Sequence, residues 1–354
     1  MKKEKTKAKK KWIKPLFTVL FILLNIAVIA ITATNEFGDS SNAIKFSEIK
    51  LHWWMLIPAV GCFLIATIID IYKYAIMIRR AGKSEKDEKE VWKIARRTVL
   101  IGKYYDNVTP ASIGGQPFQI YYMHKNGGLD KGMATTIPIV GMISVQIGFL
   151  IIAILTFVFG GALINNPALV TTACLGLLFY AFWPVMIMGA TFFPKPMTKV
   201  IKFGVKLGAR MKLVKDEKKA LEKTEESVFE YAKSFKEILK TKGLFLKAVL
   251  ISILFHILIS SIPFFVLTAF GGDVNFLSSF AITVAVTSAV YFVPTPGNSG
   301  AAEGTFYAVF SALSKGYVFW AMLIWRLLIY YIYIIMGPIE YLRMHFEKKR
   351  DKIE

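Results

Sequence analysis

Apolar runs long enough to cross a bilayer alternate with basic, polar stretches along this chain. A membrane-spanning helix needs about 20 apolar residues. Residues 15–34, 51–78, 133–163, 168–193, 248–270 and 317–337 each supply such a run and predict six full spans. A seventh apolar stretch is interrupted. Pro294, Pro296, Gly297, Gly300 and Gly304 divide it into arms at 277–293 and 301–314, and Glu303 sits inside the break. Helix breakers leave backbone groups unpaired, which lipid tolerates only where protein covers them or a wet cavity takes them in. A broken apolar segment that carries a charge therefore predicts a site rather than a plain anchor.

The same pattern occurs earlier. At a constant offset of 186, Tyr105 matches Tyr291, Thr109 matches Thr295, Pro110 matches Pro296, Gly114 matches Gly300 and Tyr121 matches Tyr307. Two readings stand side by side: coincidence in a biased composition, or an internal repeat in which each half gives one interrupted segment to a shared midplane site.

Charge orients these elements. Of the 44 Lys and Arg, 37 fall in residues 1–14, 79–105, 195–247 and 338–354. Basic loops stay on the cytoplasmic side. Residues 1–14 thus form a cytoplasmic tail, residues 15–342 the transmembrane domain and residues 343–354 a second cytoplasmic tail. Residues 1–34 read as an uncleaved first span, since no small-residue cleavage site follows the apolar run. The stretches before and after 98–123 are both basic, so that segment is expected to enter from the cytoplasm and return. The second interrupted segment begins and ends outside if the last span is to deliver the basic tail inward. The two insertions are then opposed. Within 195–247, Val228, Tyr231, Phe235, Ile238 and Leu239 recur at helical spacing. They predict an amphipathic helix on the inner membrane surface or on the base of the bundle.

The expected fold is an all-α polytopic membrane protein with about six full spans. Two interrupted re-entrant segments accompany them in an inverted-repeat-like arrangement. The multi-pass chain is expected in the plasma membrane with both termini cytoplasmic. Composition agrees: 55% of residues are hydrophobic and mean hydropathy is +0.49. The net charge of +20 does not argue for nucleic acid, because the bases flank apolar spans. Cys62 and Cys174 lie in apolar runs, read as small core residues, and offer no metal spacing. No cofactor is expected. Walker A, His-Glu-x-x-His and nucleophile-elbow sequences are absent, so neither ATP coupling nor strong enzyme chemistry is indicated.

The polar groups of the two breaks are the candidate site. Asn107, Thr109, Ser112, Gln116, Thr295, Asn298 and Ser299 offer hydrogen bonds to a headgroup. Gly114, Gly115, Gly297 and Gly300, beside Pro110 and Pro296, let backbone approach closely. Half-helix N-termini are expected to present free N–H groups, which suit phosphate. Glu303 and Arg326 are either a structural ion pair or partners of the headgroup. Asp70 either snorkels or is paired near the inner third of its span, or else is part of a site, and His256 either packs or relays protons.

Asn107-x-Thr109-Pro110, Gly114-Gly115-x-Pro117, Pro294-x-Pro296-Gly297, Gly300, Glu303 and an Arg in the last span together resemble a known family. It is the flippase-like transmembrane region of lysylphosphatidylglycerol synthetases, and the resemblance covers roughly residues 12–345. Gly297-Asn298-Ser299-Gly300 is less glycine-rich than the family pattern, which bears on headgroup identity. The resemblance implies translocation of an anionic, aminoacylated or polyprenyl-linked lipid. Asn107, Thr109, Pro110, Gly114, Gly115, Gln116, Thr295, Pro296, Gly297, Asn298, Gly300, Glu303 and Arg326 are the expected substrate-binding residues. It also implies two alternatives. One is phosphatidylglycerol lysyltransferase activity with lysyl-tRNA, although the soluble catalytic domain of longer relatives is not seen in this sequence. The other is a non-transporting partner of a lipid enzyme. A membrane lipid is the expected partner, and a homo-oligomer is compatible with each reading.

Overall fold

The computed structural model describes residues 51–81, 86–112, 114–210, 216–241, 243–313 and 317–350, with single positions at 27, 30 and 34. Apart from those three positions, the expected tail, first span and outer loop over residues 1–50 lie outside the described residues.

Every regular element among the described residues is helical. In chain order they are α1 (Leu56–Arg80), α2 (Glu88–Val108), α3 (Gly115–Lys125), α4 (Lys131–Gly160), α5 (Pro167–Phe192) and α6 (Pro194–Arg210). Then come α7 (Glu217–Lys240), α8 (Leu244–Ala269), α9 (Phe276–Val290), α10 (Ala301–Ser311), α11 (Val318–Arg326) and α12 (Ile332–Arg350). A π-helical turn, Leu327–Tyr331, joins α11 to α12. Five helical stretches are long and apolar enough to cross a membrane: Trp53–Arg80, Lys131–Leu163, Pro167–Phe192, Leu244–Ala269 and Val318–Glu347. They correspond to the predicted spans from the second onward, but the last runs ten residues farther than 317–337.

Local chemistry sets the helix starts. Asp87, Asp130, Asn166 and Asn275 accept the first-turn amides of Glu90, Met133, Leu169 and Leu277, respectively. Such caps satisfy donors that have no partner within the helix. Pro167 at the first position of α5 adds a fixed φ where no N–H is required.

The 186-residue offset extends through the architecture. The 3₁₀ turns Pro110–Ser112 and Pro296–Asn298 coincide under it, and α3 and α10 coincide at both ends. On either side, α1 corresponds to α8, α2 to α9, and α4 to the α11–α12 rod. The matched pair α1 and α8 pack along their length in opposite directions. His52 N donates to Ala269 O at 2.9 Å at one end, and Lys247 Nζ donates to Tyr72 OH at 2.9 Å at the other. Each interrupted segment folds back on itself and packs against the long helix of the other unit. α2 lies along α12, where the Tyr105 and Tyr341 hydroxyls are 2.8 Å apart. α9 lies along α4, with the Tyr291 and Phe149 rings 5.1 Å apart.

Two large apolar cores result. One gathers Val266, Phe306, Phe310, Trp325 and Tyr333; the other gathers Met77, Ile78, Met123, Ile137 and Phe235. The described part of 195–247 holds most of α6, all of α7, which carries the expected amphipathic stripe, and the start of α8. Val228, Phe235 and Ile238 of α7 are buried against the bundle, which selects the base-packing reading. The Tyr231 side chain lies outside the described residues. Cys174 corrects an expectation: it is exposed, not a core residue, because it lies on the outer face of α5 with Leu175 and Leu178. Cys62 is half-buried.

Candidate functional site

The second break is closed by its own side chains. Gly297 and Asn298 both adopt φ 55 and Gly300 adopts φ 88. Asn298 tolerates the left-handed region because its short amide bonds locally. Its Nδ2 donates to the carbonyls of Val290 at 2.6 Å and Val293 at 3.2 Å, satisfying acceptors left over at the end of α9. Thr295 Oγ1 donates to Ser299 O at 2.9 Å. The Gly300 N–H donates to Glu303 Oε2 at 2.7 Å, so Glu303 caps the helix it belongs to. The other Glu303 oxygen accepts from Arg326 Nε at 2.6 Å. Arg326 Nη2 reaches Gly297 O at 3.3 Å and Ser299 Oγ at 3.1 Å. With Glu303 3% and Arg326 4% exposed, the pair is sealed in the interior. The guanidinium also stacks over the Tyr330 ring at 4.4 Å.

The first break uses different side chains for the same task. Thr109 Oγ1 donates to Tyr105 O at 2.6 Å and accepts the Gly114 N–H at 2.9 Å. Asp106 Oδ1 accepts the Gly115 N–H at 2.9 Å. A Cβ at position 115 would overlap the Asp106 carboxylate, so this approach requires glycine. Ser112 holds φ 52. Under the 186-residue offset it matches Asn298, and these are the two non-glycine residues with positive φ among the described residues. Pro110 is exposed, Gln116 half-buried and Pro296 buried.

The half-helix amides were expected to be free. Those of Gly114, Gly115 and Gly300 are instead bonded to Thr109, Asp106 and Glu303. An unpaired N–H in an apolar setting costs roughly as much as a lost hydrogen bond or more, so the chain supplies its own acceptors.

The two breaks meet. Their 3₁₀ turns pack against each other, and Tyr330 joins them. Asn107 Nδ2 donates to Tyr330 O and Tyr330 OH donates to Asn107 O, both at 3.3 Å. A Cβ on Gly297 would run into the Tyr330 ring from the other side. Asn107, Thr109, Gly297, Asn298, Glu303 and Arg326 are thereby gathered around one junction; Pro110 opens the first of its two turns with its side chain exposed, and Gln116 follows in α3.

Beside the junction runs a polar track that the spacing of the motifs did not disclose. Lys73 Nζ lies 2.6 Å from Asp70 Oδ1 and donates to Ser252 Oγ at 3.5 Å; Ser252 in turn donates to Ser144 Oγ at 3.3 Å. Lys73 is only 1% exposed. Lys103 Nζ approaches the other Asp70 oxygen at 3.9 Å. Asp70 is thus paired, one of its readings. Lys103 belonged by sequence to the basic cytoplasmic stretch 79–105. The structure places it half-buried because α2 continues unbroken into the bundle, where Val99, Leu100 and Ile101 are core. That apolar turn just before Lys103 and Asp106 was the available signal. His256 packs: Nε2 meets Val145 O at 3.1 Å beside the Phe149 ring. Farther along α2, Arg96 and Arg97 meet buried Glu340 of α12 at 3.3 and 3.6 Å.

Helical rods long enough to span a bilayer, with two interrupted hairpins joined at their turns, define the class: a polytopic helical membrane protein. The particular relationship is equally plain. The model of the family described as the lysylphosphatidylglycerol synthase TM region matches residues 15–337, and the chain belongs to that family. No curated protein matches it.

Proposed function

We propose that this protein moves a lipid between leaflets of the cell membrane, with both termini cytoplasmic. The two hairpins enter the bilayer from opposite faces, and the headgroup passes along their joined turns. The observation that carries this reading is the junction itself. Two equivalent, interrupted segments meet turn to turn inside the apolar bundle, and their first helices α1 and α8 run antiparallel. An inverted pair of broken helices around a midplane site is the arrangement alternating-access transporters use. The lipid class fitting these polar groups is an anionic or aminoacylated phospholipid or a polyprenyl-linked headgroup.

The test is a leaflet-resolved assay in proteoliposomes with fluorescent phosphatidylglycerol and lysyl-phosphatidylglycerol. Protein-dependent loss of leaflet asymmetry supports the reading. Leaflet asymmetry that persists with folded protein overturns it. The same preparation with labelled lysyl-tRNA and phosphatidylglycerol is expected to form no lysyl lipid.

A further inference from the structure

We infer that Lys103 and Asp106 form the headgroup subsite, Lys103 taking the phosphate and Asp106 a hydrogen-bond donor farther out on the headgroup. This rests on the translocation reading and adds residues to it. The cations at or beside the junction are Arg326, Lys73 and Lys103, and they are not equally available. Arg326 and Glu303 occupy one another and the second turn. Lys73 is enclosed between Asp70 and Ser252. Lys103 remains. Its side chain is 27% exposed, its nearest carboxylate is 3.9 Å away, and that carboxylate already holds Lys73 at 2.6 Å. One Asp70 charge shared by two ammonium groups leaves Lys103 the more weakly held and the more easily taken by an incoming anion.

Asp106 lies three residues on, which places it on the same face of α2. Its Oδ1 takes the Gly115 amide, and among the described residues no donor bonds Oδ2. A cation and a carboxylate oxygen side by side suit a phosphate ester whose distal part carries an amine or a hydroxyl. The Lys103 ammonium lies over the Phe255 ring, 4.9 Å from Nζ to centroid, which sets the cation against an apolar wall. Acyl chains fit beside such a wall.

The repeat supplies the independent argument. At the 186-residue offset, Lys103 matches Ala289 and Asp106 matches Phe292. The second hairpin folds with an alanine in place of Lys103, so the hairpin architecture does not itself need that cation; Asp106 also holds the Gly115 amide, the part Glu303 plays for Gly300 in the second hairpin.

Purified full-length protein is tested for binding of dioctanoyl phosphatidylglycerol, dioctanoyl phosphatidylethanolamine and dioctanoylglycerol by native mass spectrometry. Lys103→Gln is expected to weaken both phospholipids at least about tenfold, the scale of one lost charge-assisted hydrogen bond, and to leave dioctanoylglycerol unchanged. Asp106→Asn keeps an acceptor for the Gly115 amide and is expected to weaken the ethanolamine lipid more than the glycerol one. To separate charge from folding, Lys103→Cys is made in a background lacking Cys62 and Cys174. Aminoethylation of that cysteine is expected to restore phospholipid binding, whereas methylation of it is not. Unchanged phospholipid binding by Lys103→Gln, or equal recovery with both reagents, overturns the assignment. If the wild type binds phospholipid through Lys103 but fails to equilibrate it in the leaflet assay, the subsite stands and the translocation reading falls.

Discussion

Superposed in sequence at the 186-residue offset, the first hairpin has Pro117 and its following helix Val140 where the second unit has Glu303 and Arg326. In the other direction, the first has Lys103 and Asp106 where the second has Ala289 and Phe292. Turn geometry is shared: the same 3₁₀ turn, the same eleven-residue half-helix, positive φ at Ser112 and at Asn298. Charge placement is not shared. In the second hairpin the charges close on each other and pin the turn. In the first they flank the turn and keep capacity to spare. On the proposal above, one of the two matched halves is locked and the other is the one that binds.

The sharpest way to break this contrast is through the lock. Removing one member of a buried ion pair strands the other, which costs about 3–5 kcal/mol. Glu303→Gln and Arg326→Met are each expected to lose that much in denaturation of the detergent-solubilised protein. The double variant is expected to recover most of it, and to recover leaflet equilibration with it. A double variant that is stable yet inactive would move the pair from lock to ligand.

A middle-sized effect belongs to the backbone. Gly115→Val forces a side chain into the Asp106 carboxylate, and Gly297→Ala puts a methyl into the Tyr330 ring at φ 55. Each is expected to cost about 1–3 kcal/mol, the range for a strained backbone site. Gly115→Val also displaces Asp106 and so is expected to abolish equilibration while the protein still inserts. Thermal unfolding and the leaflet assay on the same samples check both.

The smallest effect separates two residues of equal φ. Ser112→Gly relieves a left-handed residue and is expected to stabilise by up to about 1 kcal/mol. Asn298→Gly relieves the same conformation but loses two bonds to the carbonyls of Val290 and Val293, and is expected to destabilise. Equal signs for the two would show that the turns are held in the same way.

Much of this was legible before any coordinates. Apolar run length fixed the spans from 51 onward, and Pro-Gly clustering found both breaks. The Thr109–Thr295, Pro110–Pro296 and Gly114–Gly300 matches revealed the offset that the elements obey. What sequence missed follows from packing. Lys103 looked like one more base in a cytoplasmic stretch, because the short apolar turn Val99–Ile101 is outweighed in sequence by the Lys and Arg residues around it. Tyr330 lies in the π-helical turn Leu327–Tyr331, where no Pro or Gly marks it in sequence, and its part in joining the turns depends on a neighbour 223 residues away. The amides expected to await phosphate are bonded to Thr109, Asp106 and Glu303, since the same polar residues that attract a ligand on paper serve the backbone first.

The central claim is that the two hairpins are equivalents inserted from opposite faces, and one labelling experiment addresses it. Lys125 and Ser311 end the two half-helices, correspond at the 186-residue offset, and are both exposed. Single cysteines at these positions, in a background lacking Cys62 and Cys174, are treated in intact cells with a membrane-impermeant thiol reagent, then again after permeabilisation. The account predicts that the cysteine at 311 reacts from outside and the one at 125 only after permeabilisation. Reaction of both from the same side would contradict it.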